Sequence, residues 1–226
     1  MSKCLLCSKE WKNQFSIKSL FFEEQKTIVC PSCFQKFERI EGSRCIGCGR
    51  ESKESYCEEC RQWHEIYPEY SFHHEALFKY NEAMHEWFKK YKFLGDYRLR
   101  FTFSKEIESY FKEQKEWLAV PLPLSNGRME SRGFNQVTGF LQAGHVDYSE
   151  LLVKSQDTTP QSEKNRQARL AQKQTFTITD EAKLKIEGRK ILLVDDVYTT
   201  GRTIFHAYEA IKLGNPECVK TFSLAR

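Results

Sequence analysis

The chain has 226 residues, of which 40% are apolar and 14% aromatic, and its formal net charge is +4. This composition suits a folded protein with a sizeable core, and no stretch approaches the roughly 20 consecutive apolar residues of a membrane span. The amino terminus lacks the pattern of a signal peptide, so we expect a cytoplasmic protein without membrane insertion. Basic and acidic residues are mixed along the chain, so charge alone allows nucleic-acid binding without indicating it.

Cysteines dominate the first 60 residues, where four C-x-x-C pairs contain all but one of the nine cysteines. Two intervening residues let both thiolates of a pair face one metal ion, while backbone N–H groups donate hydrogen bonds to sulfur. Disulfides suit secreted proteins, and redox C-x-x-C motifs usually occur singly, so the series predicts about two structural zinc ions. An iron–sulfur cluster is the alternative. The predicted ligands are Cys4, Cys7, Cys30, Cys33, Cys45, Cys48, Cys57 and Cys60.

The order of the pairs favours sequential metal sites. The stretch GRESKESY separates Cys48 from Cys57, and 22 residues separate Cys7 from Cys30. Sequential pairing closes shorter loops than a cross-braced arrangement and therefore costs less chain entropy, although both arrangements stay open. We predict a double zinc ribbon over residues 1–64 with a structural or docking role, followed by a second domain over residues 65–226.

Residues 61–80 are aromatic and rich in histidine, and we interpret them as the seam between the domains. Eight thiolates already fill two metal sites, so His73 and His74 are expected to have structural or surface roles. The next stretch, YNEAMHEWFKKYKFLGD, predicts a helix with one apolar face, and RFTFSKEIESYFKEQ predicts a second. The first face consists of Met84, Trp87, Phe88 and Tyr91.

The remaining chain alternates between strand and helix patterns. Strands are predicted at EWLAVPLPL, SELLVKSQ, TFTIT, RKILLVDD and VKTFSLA. Helices are predicted after the basic loop SNGRMESRGFNQ and at Thr203–Leu213. The aliphatic run of RKILLVDD is typical of a strand that is buried on both faces of a parallel sheet. The fold class is therefore α/β, with a mostly parallel sheet flanked by helices.

The stretch RKILLVDDVYTTGRTIF combines a strand, a small polar loop and the start of a helix. Parallel sheets bind ligands at the carboxyl ends of their strands. Loop N–H groups and a helix amino terminus bind phosphate, and Gly201 permits close backbone approach. The motif is not a Walker A loop, which requires a lysine. Asp195 and Asp196 lie within reach of sugar hydroxyls or a magnesium shell, so the stretch predicts a site for a phosphorylated ribose.

The segment ILLVDDVYTTGRT resembles the phosphoribosyl pyrophosphate (PRPP) signature of type I phosphoribosyltransferases. Together with FKKYKFLGD, VPLPLSNGRMESRGFNQ and the C-x-x-C pairs, it resembles the ComF family of late-competence proteins over nearly the whole chain. The resemblance implies a type I phosphoribosyltransferase fold behind a zinc ribbon. It also implies displacement of pyrophosphate from ribose C1 by a nitrogen nucleophile.

The resemblance also implies roles for individual residues. Asp195 and Asp196 would be catalytic and contact the ribose hydroxyls, with Mg²⁺ bridging to the pyrophosphate. Arg128 and Arg132 would bind the pyrophosphate. The PRPP loop would consist of Val197, Tyr198, Thr199, Thr200, Gly201, Arg202 and Thr203. A hood with Thr159, Pro160, Gln161, Lys164, Arg166 and Arg169 would close over the ligand, although its end departs from the family pattern at Gln172 and Phe176.

The family resemblance implies a role in DNA uptake, with single-stranded DNA and a helicase or recombination mediator as partners. Such partners would also bring the protein to the inner face of the membrane. The alternative is a catalytically silent module that binds single-stranded DNA or docks another protein. Release of pyrophosphate from PRPP distinguishes the enzyme, whereas salt-dependent binding of single strands without PRPP distinguishes the module.

Overall fold

The computed structural model describes residues 2–12, 27–68, 73–154 and 175–226. The cysteine-rich part begins with a two-stranded antiparallel pair, β1 (Ser2–Lys3) and β2 (Glu10–Trp11). Two helices follow, α1 (Pro31–Phe34) and α2 (Glu58–Ile66). Each of them begins directly after a cysteine of a C-x-x-C pair, and the other two pairs, Cys4/Cys7 and Cys45/Cys48, lie at turns.

A four-stranded parallel sheet forms the centre of the molecule. The strands after the cysteine-rich part are β3 (His74–Phe78), β4 (Trp117–Pro121), β5 (Val153–Lys154), β6 (Phe176–Thr177), β7 (Lys190–Val197) and β8 (Cys218–Ala225). The spatial order in the sheet is β3-β8-β7-β4. Strand β7 is therefore paired on both edges, and its aliphatic residues from Ile191 to Val194 are fully buried. The predicted α/β fold class is confirmed.

Helices flank this sheet, and two short turns of other helix types join them. They are α3 (Glu82–Phe88), a π-helical turn (Lys89–Phe93), a 3₁₀ turn (Tyr97–Phe101), α4 (Ser104–Lys112), α5 (Asn126–Arg132), α6 (Gln136–Ala143), α7 (Asp180–Ile186) and α8 (Arg202–Lys212). Side chains of Asn81, Asn135 and Thr179 cap the amino termini of α3, α6 and α7. The predicted apolar face from Met84 to Tyr91 is buried.

The two faces of the sheet belong to different apolar cores. Along β7, Leu192 and Val194 pack into one core, whereas Ile191 and Leu193 pack into the other. This alternation follows from the two-residue period of a strand. The first core includes Cys4 and Cys30 of the first two cysteine pairs, and the second includes all four cysteines from Cys45 to Cys60. The cysteine-rich part therefore contacts both cores.

The structure corrects several expectations about individual elements. Residues 126–132, expected in a loop, form helix α5, which ends at Gly133 in the left-handed conformation with φ +80°. Strand β3 lies in the stretch interpreted as a seam, and helix α7 had no predicted counterpart. The strands expected at SELLVKSQ and TFTIT are two residues long where described, and they pair with each other. The domain boundary at residue 64 stays a prediction.

Hydropathy gives no sign of a membrane span in the described ranges. No helix there combines the length and the apolar character that crossing a bilayer requires.

Candidate functional site

Two adjacent aspartates end the central strand β7 at the carboxyl edge of the sheet. Backbone pairing places Asp195 opposite Ser223 of β8, and the neighbouring strand β4 ends opposite Val194. The aspartates therefore lie where parallel sheets bind ligands. Asp196 is buried, with 7% of its surface exposed, and Asp195 is partly buried. Two acidic groups in such a position require local compensation of their charge.

Asp196 has that compensation in a lysine and a glutamine from distant segments. Lys92 Nζ lies 2.7 Å from Asp196 Oδ2, and Gln136 Nε2 donates a hydrogen bond of 2.6 Å to the same oxygen. Burial opposes ionisation, but the lysine charge and these hydrogen bonds outweigh it, so the pKa of Asp196 is lowered. Asp196 is therefore an anion at neutral pH. The sequence analysis did not identify Lys92 or Gln136.

Asp195 has the opposite electrostatic balance. Burial and the negative charge of Asp196 raise the pKa of Asp195 to about 7, although its carboxylate accepts a hydrogen bond of 2.8 Å from the Asp196 N–H. The pair therefore holds one firm negative charge and one proton that exchanges near neutral pH. Such a pair offers both an acceptor and a donor to the hydroxyl groups of a sugar. Its oxygen donors also fit Mg²⁺.

The loop after β7 has the geometry expected of a phosphate site. Gly201 has φ +77° and directly precedes helix α8, whose first N–H groups have no acceptor within the helix. A Cβ atom at Gly201 would collide with the Tyr198 ring, so this turn excludes a side chain. The hydroxyl-bearing residues Thr199, Thr200 and Thr203 are exposed. The loop can therefore present N–H and hydroxyl donors to an anion.

The two predicted pyrophosphate arginines differ in their surroundings. Both belong to helix α5 instead of a loop. Arg132 is partly buried and donates a hydrogen bond to the side chain of Gln136, which itself binds Asp196. Arg128 is exposed on the same helix. The structure thus connects Arg132 to the aspartate pair and leaves Arg128 at the surface.

The predicted hood lies outside the described residues, except for its end. This applies to Thr159, Pro160, Gln161, Lys164, Arg166, Arg169 and Gln172. Phe176 is buried in β6.

The eight predicted metal ligands form two clusters in the sequential arrangement. Cys4, Cys7, Cys30 and Cys33 form one, and Cys45, Cys48, Cys57 and Cys60 form the other, with the sulfur atoms of each within 4.8 Å of one another. All nine cysteines, each within the described ranges, are free thiols. The cross-braced alternative is therefore wrong.

Distances within the clusters fit zinc. A tetrahedral ion with Zn–S bonds of about 2.3 Å holds its sulfur atoms about 3.8 Å apart. The Cys7 and Cys30 sulfurs are separated by 3.8 Å, and those of Cys48 and Cys57 by 3.6 Å. In each cluster a backbone N–H donates to the first cysteine's sulfur at 3.3 Å, from Cys30 to Cys4 and from Cys57 to Cys45. The repetition indicates two sites of the same construction.

The ionisation of the thiols in the second cluster also favours a bound cation. The hydrogen bond with Cys60 lowers the pKa of Cys48 to about 4, whereas the same contact raises the pKa of Cys60. Ionisation of one cysteine therefore disfavours ionisation of its neighbour, and a bound divalent ion would allow all four thiols to ionise. The clusters differ in access to water, because Cys7 is exposed and Cys33 half-buried, whereas all four cysteines of the second cluster are buried.

The second cluster lies directly behind the loop of residues 198–201 between β7 and α8, which we name the phosphate loop for the anion that its geometry suits. Gly47, between Cys45 and Cys48, accepts a hydrogen bond of 2.9 Å from the His74 N–H. The His74 ring packs against the buried Tyr198 of the loop, with ring centroids 4.3 Å apart and the ring planes tilted by 41°. His74 also hydrogen-bonds Thr221 and Ser223, and His73 is exposed, which matches the structural and surface roles expected for them.

Helix α2 of the ribbon packs on the helix that starts at the phosphate loop. The rings of Trp63 in α2 and of Tyr67 directly after it lie 5.5 Å and 4.5 Å from the ring of Phe205 in α8. Aromatic pairs at such distances add stability beyond the area they bury. The loop is therefore supported by the ribbon on two sides.

Comparison with known proteins identifies similarity over the full chain. The phosphoribosyl transferase domain model matches residues 149–226. The competence protein ComFC of Streptococcus pneumoniae is 36% identical over 225 residues, covering 99% of this chain and 100% of that protein. ComFC of Bacillus subtilis is 31% identical over 230 residues, covering 99% of this chain and 94% of that protein.

Solved structures show a more distant similarity. A variant of the hypoxanthine phosphoribosyltransferase of Trypanosoma cruzi, in a ternary complex with substrates, has a TM-score of 0.35 at 19% identity and covers 57% of this chain and 67% of that chain. A hypoxanthine phosphoribosyltransferase of Staphylococcus aureus has a TM-score of 0.34 at 13% identity and covers 56% of this chain and 63% of that chain.

Proposed function

The chain belongs to the ComFC family of competence proteins, and from this premise we propose that it binds PRPP with Mg²⁺ and works in DNA uptake in the cytoplasm. The observation that carries the proposal is the aspartate pair at the end of β7, followed at once by the phosphate loop. PRPP has a ribose with two free hydroxyls and a 5′-phosphate. A buried anion beside a protonatable carboxyl group suits the hydroxyls, and the loop suits the phosphate.

The proposed reaction transfers the phosphoribosyl group to a nitrogen nucleophile. The bond from C1 to the pyrophosphate oxygen breaks, the leaving pyrophosphate takes the electron pair, and the nitrogen forms a new bond to C1 and loses its proton. Carboxylates near the ring stabilise the positive charge that develops on the ribose. Mg²⁺ supplies charge neutralisation for the leaving group when it is bound. Arg132 would assist the same group through its guanidinium fork, and its contact with Gln136, which binds Asp196, supports this role.

The test is PRPP binding by a double variant, Asp195→Asn with Asp196→Asn. We expect calorimetry with Mg²⁺ to detect PRPP binding to the wild-type chain and none to this variant, which should keep its circular dichroism spectrum. Asp180→Asn with Glu181→Gln is a matched control, because these adjacent acids are exposed at the start of α7. Equal binding by all three proteins would refute the proposed site.

A second candidate function is binding of single-stranded DNA, which the surface near Lys92 favours. Phe93 and Leu94 have 77% and 71% of their surface exposed, and the segment around them carries the basic residues Lys89, Lys90, Arg98 and Arg100. Exposed aromatic rings stack on bases, and basic residues attract the phosphate backbone. The surface therefore has the two kinds of contact that single strands require.

The variant Phe93→Ala tests this candidate. We expect about tenfold weaker, salt-dependent binding of an oligothymidine by fluorescence anisotropy, since one stacked base contributes roughly 1–3 kcal/mol. Leu184→Ala is the control, because Leu184 is exposed to 76% on α7. Binding that is absent from the wild-type chain, or equal in the two variants, would contradict the candidate. Partners such as a helicase or a recombination mediator belong to the same proposal.

A further inference from the structure

A buried arginine after the last strand connects the second cysteine cluster to the phosphate loop. The side chain of Arg226 is exposed to 6%. Its backbone N–H donates to Phe78 at 2.9 Å, and its carbonyl accepts from Tyr80 at 2.7 Å. The backbone is therefore held at the end of β3, and the guanidinium lies between the two sites. A buried guanidinium needs acceptors on several sides.

On one side Arg226 faces the metal cluster. Its Nη2 lies 3.3 Å from Glu59 Oε2 and is part of an ion pair with it. The positive charge of the guanidinium also acts on Cys48 of the cluster. Four thiolates outweigh the two positive charges of a zinc ion, so a filled cluster carries net negative charge. Arg226 therefore provides the opposite charge directly beside it.

On the other side Arg226 faces the phosphate loop. Its Nη1 donates a hydrogen bond of 3.3 Å to the Thr199 carbonyl. The guanidinium lies over the Tyr198 ring at 4.4 Å from the centroid. The same Tyr198 ring lies against Gly201, where no Cβ fits. One side chain thus contacts the loop at two of its residues and supports a third through Tyr198.

We propose that Arg226 is a positioning residue through which the filled second cysteine cluster holds the phosphate loop in its binding conformation. The effect of Arg226 on PRPP affinity rests on the proposed function. Its effect on the order of the loop does not. Arg226 is fixed by the negative cluster and by Glu59, so it presents a preorganised donor to Thr199. Without that donor the loop would have to be ordered by the ligand itself.

The experiment compares hydrogen exchange of residues 199–204 in the zinc-loaded, ligand-free chain. We expect Arg226→Met to exchange about tenfold faster there, corresponding to the loss of one charge-assisted hydrogen bond. Arg226→Lys keeps a charge beside the thiolates but loses the planar fork, and is expected to keep both zinc ions and still exchange faster. Arg50→Gln is the matched control, because Arg50 binds the same Glu59 carboxylate at 2.7 Å with a half-exposed side chain.

Unchanged exchange in both Arg226 variants would overturn the inference, and so would equal acceleration in Arg50→Gln. Calorimetry with PRPP and Mg²⁺ on the same proteins adds the functional consequence, an affinity about tenfold lower in Arg226→Met. A wild-type chain that does not bind PRPP would refute the proposed function, while the exchange data would still decide whether Arg226 orders the loop.

Discussion

Lys92 Nζ lies 2.7 Å from Asp196 Oδ2, and only 16% and 10% of the two side chains are exposed. The ion pair joins the π-helical turn after α3 to the end of β7. Removal of one partner from a buried pair leaves an uncompensated charge, which costs more than the pair contributes. This contact therefore links the stability of the fold to the charge at the candidate site.

We expect Lys92→Met to lower the free energy of unfolding by about 3 kcal/mol, measured in urea at neutral pH. The double variant Lys92→Met with Asp196→Asn should recover most of this loss, because no charge then remains buried. Lys89→Met is the control on the same turn, since Lys89 is exposed and its ion pair with Glu86, at 3.8 Å, is a weak surface contact. An equal effect of the two single variants would contradict the role of the pair.

The raised pKa of Asp195, about 7, predicts a pH dependence of stability. The unfolded carboxyl ionises near pH 4 and the folded one near pH 7, so the contribution of Asp195 to stability falls as the pH rises between these values. Above pH 7 the folded chain bears the full free-energy cost of an ionised Asp195. Asp195→Asn should therefore be about 4 kcal/mol more stable than the wild-type chain at pH 8 and equal to it at pH 4. Urea unfolding at both pH values measures the two stabilities. The same difference between the variant and the wild-type chain at pH 4 and at pH 8 would contradict the prediction.

The different burial of the two cysteine clusters predicts two phases of zinc release. Cys7 is exposed in the first cluster, whereas every ligand of the second is buried. A chelator should therefore remove about one zinc ion quickly and the other about tenfold more slowly, with a total of about two per chain. Cys7→Ser should abolish the fast phase, and Cys60→Ser the slow one. A single phase with two ions would show that access does not control release.

The contact between Gly201 and Tyr198 predicts a steric effect that a second glycine can isolate. Gly201 and Gly133 have similar φ angles, +77° and +80°, but a Cβ would meet the Tyr198 ring only at Gly201 and nothing within 4 Å at Gly133. Gly133→Ala should cost about 1 kcal/mol for the left-handed backbone. Gly201→Ala should cost about 2 kcal/mol more in urea unfolding, and equal costs would argue against the collision.

Local patterns were sufficient to predict the strand β7, the polar loop that follows it and the grouping of the cysteines into two clusters. Their signals lie within short stretches, such as the aliphatic run before Asp195 and the two-residue spacing of each cysteine pair. The helix α5 was interpreted as a loop because Gly127 and Gly133 resemble loop residues. Gly133 in fact ends the helix, and a helix of seven residues is too short to show a repeating apolar pattern in the sequence.

The residues that sequence reasoning did not find act across the fold. Lys92, Gln136 and Arg226 have ordinary local contexts, and their roles come from contacts with Asp196, Thr199 and Glu59. A single sequence contains no signal for such pairs, because the chain brings them together only when the parallel sheet forms. A basic residue near two aspartates could have been expected on charge grounds, but not its position.

The placement of the cysteine clusters in both apolar cores also has a consequence for how the cysteine-rich part and the sheet domain evolve. Cys4 and Cys30 belong to the same apolar core as Leu192 and Val194, and the four cysteines from Cys45 to Cys60 belong to the same core as Ile191 and Leu193. A phosphoribosyltransferase domain taken from another protein could not be joined to this ribbon without new side chains on both faces of β7. The two parts are therefore expected to change together in evolution, as one interlocked unit and not as exchangeable modules.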